Sequence, residues 1–135
     1  MYLLDTNVIS ELRRPKPHGA VLAWFASTGQ ARLYVSAVSV GEIQLGVERC
    51  RAQDPKKAHD IEAWLAALIA GYDVLPMSAE CFRQWGKLMH KQSDTRIADA
   101  MIAATAMTHG LTVVTRNVGD FAQFGCDLLN PFEAS

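Results

Sequence analysis

The sequence has few cysteines and no long apolar run. Its three cysteines, Cys50, Cys81 and Cys126, are odd in number and far apart, and no C-x-x-C pair occurs. This argues against a disulfide framework or a zinc site and favours small thiols that are buried or half-buried. No apolar run reaches the length of a membrane span, and no basic segment followed by an apolar one opens the chain. We therefore expect a cytoplasmic protein without a membrane partner.

The chain also lacks an excess of charge of either sign. Thirteen lysine and arginine residues stand against fourteen aspartate and glutamate residues, which gives a net charge of −1. Nucleic-acid binders often carry a strong basic excess. Any contact with RNA or DNA must therefore come from local patches, or from a metal ion that offsets clustered acids. The sequence contains no linker and no internal repeat, so we expect a single domain over residues 1–135.

Short apolar runs alternate with amphipathic segments along the chain. The runs predict strands, and the segments between them predict helices. Strands separated by helices favour right-handed crossovers, and hence an α/β fold in three layers, with a short, mostly parallel sheet between helices. The predicted strands lie near residues 1–4, 32–35, 72–75, 111–115 and 127–129.

Two local patterns make more detailed predictions. The segment Ser39-Val40-Gly41-Glu42 has the form of a capping box, which predicts a helix that begins near Val40 with Ser39 as its N-cap. The segment from Arg116 to Phe121 is polar and contains a glycine, which predicts a loop after the fourth strand.

Four acidic residues follow predicted strands or begin predicted helices: Asp5, Glu42, Asp99 and Asp120. Each has an ordinary structural interpretation, because Glu42 would complete the capping box, Asp99 would complement a helix dipole and Asp120 would cap a turn. In a parallel sheet, however, all four lie near the same C-terminal edge. Functional sites of open α/β sheets occur at that edge.

Several carboxylates at one edge repel one another and raise each other's pKa unless a cation is present. Hard oxygen ligands suit Mg²⁺ or Mn²⁺, and such an ion can activate water and neutralise charge on a phosphodiester. The residues alone therefore predict metal-dependent phosphodiester hydrolysis, with one ion or two.

Four segments in this order resemble the successive motifs of PIN-domain ribonucleases, and most closely those of the VapC toxins of VapBC toxin–antitoxin pairs. The segments are Leu3-Leu4-Asp5-Thr6-Asn7, Ser39 to Glu42, Ala98 to Ala106 and Thr115 to Phe121. The resemblance covers nearly the whole chain. It implies a PIN-like fold and an endoribonuclease that uses Mg²⁺ or Mn²⁺ to cut structured RNA. It also implies a homodimer and a VapB-type antitoxin that occludes the site, in a heterotetramer or a larger assembly.

Carried over by position, the resemblance makes Asp5 and Asp99 the main metal ligands, with Glu42 completing the site at the metal or at its waters. Relatives place their last acid at the position of either Asn117 or Asp120. We predict that Asp120 is the fourth catalytic and metal-binding acid.

The remaining site predictions concern neutral and basic neighbours of the acids. Asn117 is expected to be a neutral hydrogen-bonding neighbour of Asp120. Thr6 and Thr115 fall beside the acids, where a hydroxyl can orient a carboxylate or a water. Arg96 and Arg116 lie nearest in sequence to the proposed site, and they are our candidates for contacts with RNA phosphates. An equally ordinary role for both is to screen the charge of the acids.

Two other functions compete with the ribonuclease. A haloacid-dehalogenase-like phosphatase also begins with a strand that ends in aspartate, but it needs a second aspartate where this chain has Asn7. The alternative within the same fold is a non-catalytic module that binds RNA or protein. Four acids retained in these motifs argue against it, since RNA binding gains nothing from buried negative charge.

Overall fold

The computed structural model describes residues 1–133, in which the chain forms five strands and seven α-helices. None of these helices within residues 1–133 has the length and hydropathy needed to cross a membrane. Two single 3-10 turns, at Gln30–Arg32 and Asp94–Arg96, precede β2 and α6. The elements are β1 (Tyr2–Leu4), α1 (Thr6–Arg13), α2 (Gly19–Thr28), β2 (Leu33–Ser36), α3 (Ala37–Arg51), α4 (Pro55–Gly71), β3 (Asp73–Leu75), α5 (Ala79–Met89), α6 (Ile97–His109), β4 (Thr112–Val114), α7 (Val118–Ala122) and β5 (Leu128–Leu129).

The five strands form one sheet in the order β3-β2-β1-β4-β5, and every neighbouring pair is parallel. The central strand β1 is in register with both neighbours, because Leu4 is opposite Val35 of β2 and Val114 of β4. From β1 the chain first builds the sheet on the β2 side and then crosses to the β4 side. The boundary between β1 and β4 is therefore a topological switch point, where open α/β sheets form their clefts.

Side chains that alternate along the strands separate the interior into two cores. Leu3 and Val113 point to one face, where they pack with residues of α6 and α7. Leu4 and Val114 point to the other face, where they pack with α1, α3 and α4. This alternation is what pleated strands produce when both faces are covered. It confirms the predicted three-layer α/β fold, with a sheet that is entirely parallel in the described residues.

The predicted start of α3 is wrong. The helix begins at Ala37, and its N-cap is Ser36, whose hydroxyl accepts a hydrogen bond from the Val38 N–H at 3.1 Å. Ser39 and Glu42 therefore lie inside the helix and form no capping box. The shift has a functional consequence, because it frees both side chains to meet residues of another helix.

The segment after β4 also differs from its prediction. Where a loop over residues 116–121 was expected, the chain forms the short helix α7, which begins at Val118 and contains Asp120. A five-residue helix spans little more than one turn, so it shows no hydrophobic periodicity in the sequence. Its placement depends on Phe121, which is buried in the core with α6.

Candidate active site

Asp5 stands at the point where β1 ends and α1 begins. Its N–H donates to the Val114 carbonyl at 2.9 Å and extends the pairing with β4 by one residue. Its carbonyl accepts the N–H groups of Val8 and Ile9, the first turn of α1. The chain therefore turns from strand to helix at this residue, and the side chain stays at the switch point, only 6% exposed.

Both oxygens of the Asp5 carboxylate are held by neutral donors. Oδ1 accepts the N–H of Thr6 at 2.8 Å, and Oδ2 accepts the hydroxyl of Thr115 at 2.8 Å. The Thr115 hydroxyl in turn accepts the N–H of Asn117 at 3.0 Å. Burial raises the pKa of Asp5 to about 6 even though both hydrogen bonds oppose the rise, and the nearby charges of Asp99 and Glu42 add to it.

Glu42 is oriented by the hydroxyl of Thr6, which also contacts Ser39. The Thr6 Oγ1 lies 2.7 Å from Glu42 Oε1 and 2.8 Å from Ser39 Oγ. A hydroxyl has a single proton and a carboxylate only accepts. The Thr6 hydroxyl donates toward both oxygens, so its single proton is shared between Glu42 and Ser39. Ser39 is fully buried, whereas Glu42 is exposed. The three linked side chains therefore extend from the interior of the protein to its surface.

Asp99 and Asp120 approach each other from α6 and α7 and share one cation. Arg96 Nη1 lies 3.1 Å from Asp120 Oδ1 and 3.8 Å from Asp99 Oδ2. The pKa of Asp99 is raised, first by burial and then by the charges of Asp120 and Glu42, while Arg96 partly opposes the rise. These mutual effects place all four predicted acids in one electrostatic cluster.

The other predicted residues occupy different positions. Asn117 lies beside the cluster through its backbone, and its side chain is exposed. Arg116 donates its backbone N–H to Asn7 Oδ1 at 3.4 Å, and its guanidinium lies over the Phe132 ring, 4.5 Å from the centroid. Within the described residues, Arg96 is thus the predicted basic side chain that contacts the acids, and Arg116 is held apart from them.

Sequence reasoning missed the role of Ser39. Its spacing of three from Glu42 is the signal that placed it in a capping box, and the same spacing puts both side chains on one face of α3. Their common partner, Thr6, is 33 residues from Ser39 in sequence. Only the position of α1 against α3 distinguishes the two interpretations.

The donor chemistry of the cluster fits a hard divalent cation. Carboxylate oxygens are the ligands that Mg²⁺ and Mn²⁺ prefer, and the raised pKa of Asp5 shows a buried acid without a compensating positive charge. Within residues 1–133, however, no group of three or more histidine, cysteine, aspartate or glutamate side chains is arranged as a ready coordination shell. Arg96 is interposed at two of the four acids.

Residues 2–125 match the family described as the PIN domain. The chain belongs to the PIN-domain family. This PIN domain is 39% identical over 139 residues to VapC ribonuclease Y4jK of Sinorhizobium fredii, with 98% of this chain and 99% of that protein covered. It is 38% identical over 140 residues to toxin FitB of Neisseria gonorrhoeae, with 98% and 99% covered. The crystal structure of FitAcB from Neisseria gonorrhoeae superposes with a TM-score of 0.87 at 34% identity, covering 99% of this chain and 100% of that one. These relatives confirm the resemblance to VapC-type PIN proteins.

Proposed function

We propose that this protein is a divalent-metal-dependent endoribonuclease and the toxin of a type II toxin–antitoxin pair. The observation that carries the proposal is the buried Asp5 carboxylate, oriented by Thr6 and Thr115 at the switch point and close enough to Asp99 for their charges to interact. The relatives named as a VapC ribonuclease and a toxin support the reaction class and the biological role.

Asp5 and Asp99 would hold a Mg²⁺ or Mn²⁺ ion, and Glu42 and Asp120 would complete its surroundings. When bound, such an ion supplies positive charge to the phosphodiester and lowers the pKa of a water molecule. Thr115 and the Thr6 N–H fix the direction of the Asp5 oxygens before any ligand arrives. This preorganisation avoids an ordering cost at the moment of reaction.

Glu42 is the residue best placed to handle the proton of the attacking water. Its side chain is exposed, so water reaches it, and the Thr6 hydroxyl holds one of its oxygens. The other oxygen is then free to accept a proton or to orient the water. Thr6 therefore links the orientation of two acids, Asp5 through its backbone and Glu42 through its side chain.

RNA contacts are assigned to the basic residues beside the cluster. Arg96 is next to the acids, and Arg116 is exposed where the chain leaves β4. Both would contact the phosphate backbone of an RNA that crosses the C-terminal edge of the sheet. Since the chain carries no basic excess, we expect RNA affinity that depends on these few contacts and falls as salt rises.

Two protein partners are part of the proposal. A VapB-type antitoxin would occlude the acidic cluster, as the family resemblance implies. A second copy of the chain would cover the apolar side chains exposed on α5 and α6, namely Phe82 (45% exposed), Ile97 (41%) and Met107 (37%). The cytoplasmic location and the single domain over residues 1–135 stay predictions.

The decisive experiment is cleavage of total RNA by the purified, antitoxin-free chain with Mg²⁺ or Mn²⁺. We expect cleavage that EDTA abolishes and that Asp5→Asn or Asp99→Asn lowers by at least about 100-fold. The matched control is Asp60→Asn, which makes the same chemical change at an exposed position of α4. Activity that survives both site changes would reject the assignment of the site.

The same experiment separates the competing functions. RNA that is bound but stays intact with metal present would indicate the non-catalytic module. Phosphate trapped covalently on Asp5 would indicate the phosphatase. The structure gives Asn7 a different use, because its side-chain oxygen accepts the Arg116 N–H.

A further inference from the structure

Arg96 differs from the other predicted RNA-binding residue in what its guanidinium contacts. Its Nη1 lies 3.1 Å from Asp120 Oδ1 and 3.8 Å from Asp99 Oδ2, so one nitrogen lies between two acids of the cluster. The three side chains are about equally shielded, with 34% of Arg96, 32% of Asp99 and 44% of Asp120 exposed. They form a compact group of two negative charges and one positive charge.

The local backbone directs Arg96 to this position. The 3-10 turn Asp94–Arg96 closes with a hydrogen bond from the Arg96 N–H to the Ser93 carbonyl at 3.1 Å, and Arg96 is the N-cap residue of α6. Asp99 follows three residues later, one turn along the same side of the helix. Asp120 comes from α7, so the guanidinium joins two helices that carry predicted metal ligands.

The acids on the opposite side of the cluster have no such cation in the described residues. Asp5 and Glu42 accept hydrogen bonds from an N–H group and from hydroxyls, which are neutral. Neutral donors orient a carboxylate but leave its charge in place. Arg96 is therefore the side chain that supplies positive charge to the cluster when no metal is bound.

We propose that Arg96 is an internal counter-ion that competes with the divalent ion for Asp99 and Asp120 and thereby weakens metal binding. This inference rests on the proposed function, because it takes the acidic cluster to be the metal site. The Asp120 oxygen is paired with the guanidinium at 3.1 Å, so a metal ion that binds this oxygen must first displace the guanidinium. A metal and a guanidinium at the same two acids would also repel each other.

The test is Mn²⁺ binding to the full-length, antitoxin-free chain, measured from the electron paramagnetic resonance signal of the free ion. Arg96→Gln keeps a polar side chain, shorter by two bonds, and removes the charge. We expect it to bind Mn²⁺ on the order of two- to fivefold more tightly than wild type, the range for a partly exposed ion pair. The control is Arg83→Gln, which makes the same charge change at an exposed position of α5, and which we expect to match wild type.

A second variant keeps the test decisive if Arg96→Gln does not fold, which circular dichroism would show. Arg96→Lys retains the charge but has a single ammonium group in place of the planar fork. We expect its Mn²⁺ affinity to lie between those of wild type and Arg96→Gln. Affinity for either folded variant that is no tighter than that of Arg83→Gln would overturn the role of Arg96.

Failure of the inference and failure of the proposed function give different results. If wild type binds Mn²⁺ and Asp99→Asn does not, the metal site stands, and only the comparison of Arg96→Gln with Arg83→Gln decides the role of Arg96. If wild type and Asp99→Asn bind Mn²⁺ equally, or neither binds it, the metal site itself is wrong, and the inference falls with it.

Discussion

The acidic cluster has two parts, and the carboxylates of each part are stabilised by a different kind of donor. In the hydroxyl part, Asp5 and Glu42 are oriented by Thr6, Ser39 and Thr115. In the arginine part, Asp99 and Asp120 share the guanidinium of Arg96. Neutral donors preserve the negative charge that attracts a cation, whereas a guanidinium cancels part of it. If the cluster holds the proposed metal, the hydroxyl part would receive it without rearrangement, whereas the arginine part would become available only when Arg96 moves.

The largest expected effect is on the free energy of unfolding, and it comes from the uncompensated charge of Asp5 in the hydroxyl part. The folded pKa of Asp5 is about 6 against an ordinary value of 3.8, so the folded state holds this proton more tightly than the unfolded state does. Stability is therefore lost as pH rises from about 4 to about 6. Asn cannot ionise, and a difference of about two pKa units corresponds to about 3 kcal/mol. In EDTA, we expect Asp5→Asn to be up to about 3 kcal/mol more stable than wild type at pH 7.5, with little gain at pH 4.

Urea unfolding at both pH values measures this gain. Asp99→Asn is the matched comparison from the arginine part, where Arg96 opposes the rise in pKa. We expect a smaller pH-dependent gain there. An equal gain in the two variants would remove the distinction between the two parts of the cluster.

The next effect concerns the donor that orients Asp5. Thr115→Val keeps the shape of a fully buried side chain but removes the hydroxyl that donates to Asp5 and accepts from Asn117. Loss of a buried partner costs about 1–3 kcal/mol. We expect a free energy of unfolding lower by roughly 2 kcal/mol at pH 7.5, and cleavage reduced along with it. A folded variant of unchanged stability would show that the carboxylate does not depend on this hydroxyl.

A smaller effect distinguishes Asp120 from Asn117 in the arginine part. Asp120 shares the guanidinium with Asp99, whereas the Asn117 side chain is exposed. We expect Asp120→Asn to lower the cleavage rate roughly tenfold, the effect of about 1.4 kcal/mol on the barrier. Asn117→Ala should change it less than about twofold, because its N–H contact to Thr115 is made by the backbone. A larger loss of cleavage rate in Asn117→Ala than in Asp120→Asn would assign the fourth site position to Asn117 instead of Asp120.

The smallest expected effect on cleavage comes from Ser39, which contacts the Thr6 hydroxyl. Ser39→Ala removes the second acceptor of the Thr6 hydroxyl and leaves the contact between Thr6 and Glu42 in place. We expect the cleavage rate to fall only about two- to threefold, because the acids themselves are unchanged. A loss as large as that of Asp120→Asn would mean that Ser39 positions Glu42 directly.

The sequence predicts the parts of the site that depend on strand ends. Asp5 follows an apolar run, Thr115 ends another, and parallel pairing brings both to one edge. The sequence does not decide how helices meet that edge. Ser36 and Ser39 are both suitable caps, and the choice between them depends on the contact of Ser39 with Thr6 in another helix. The pairing of Arg96 with Asp120 likewise depends on the position of α7, which has too few residues for a periodic signal.

The hydrogen bond between Thr115 and Asp5 joins residues 110 positions apart, and this has a consequence for how the protein is made. A ribosome adds Thr115 110 residues after Asp5. Until β4 has emerged and paired with β1, the carboxylate lacks both its orienting hydroxyl and the strand that positions it. Closing so long a loop costs conformational entropy before the contact stabilises the chain, so contacts this distant in sequence slow folding. A growing chain with the proposed activity would therefore be inactive until β4 has emerged and paired with β1, because the proposed centre depends on that strand.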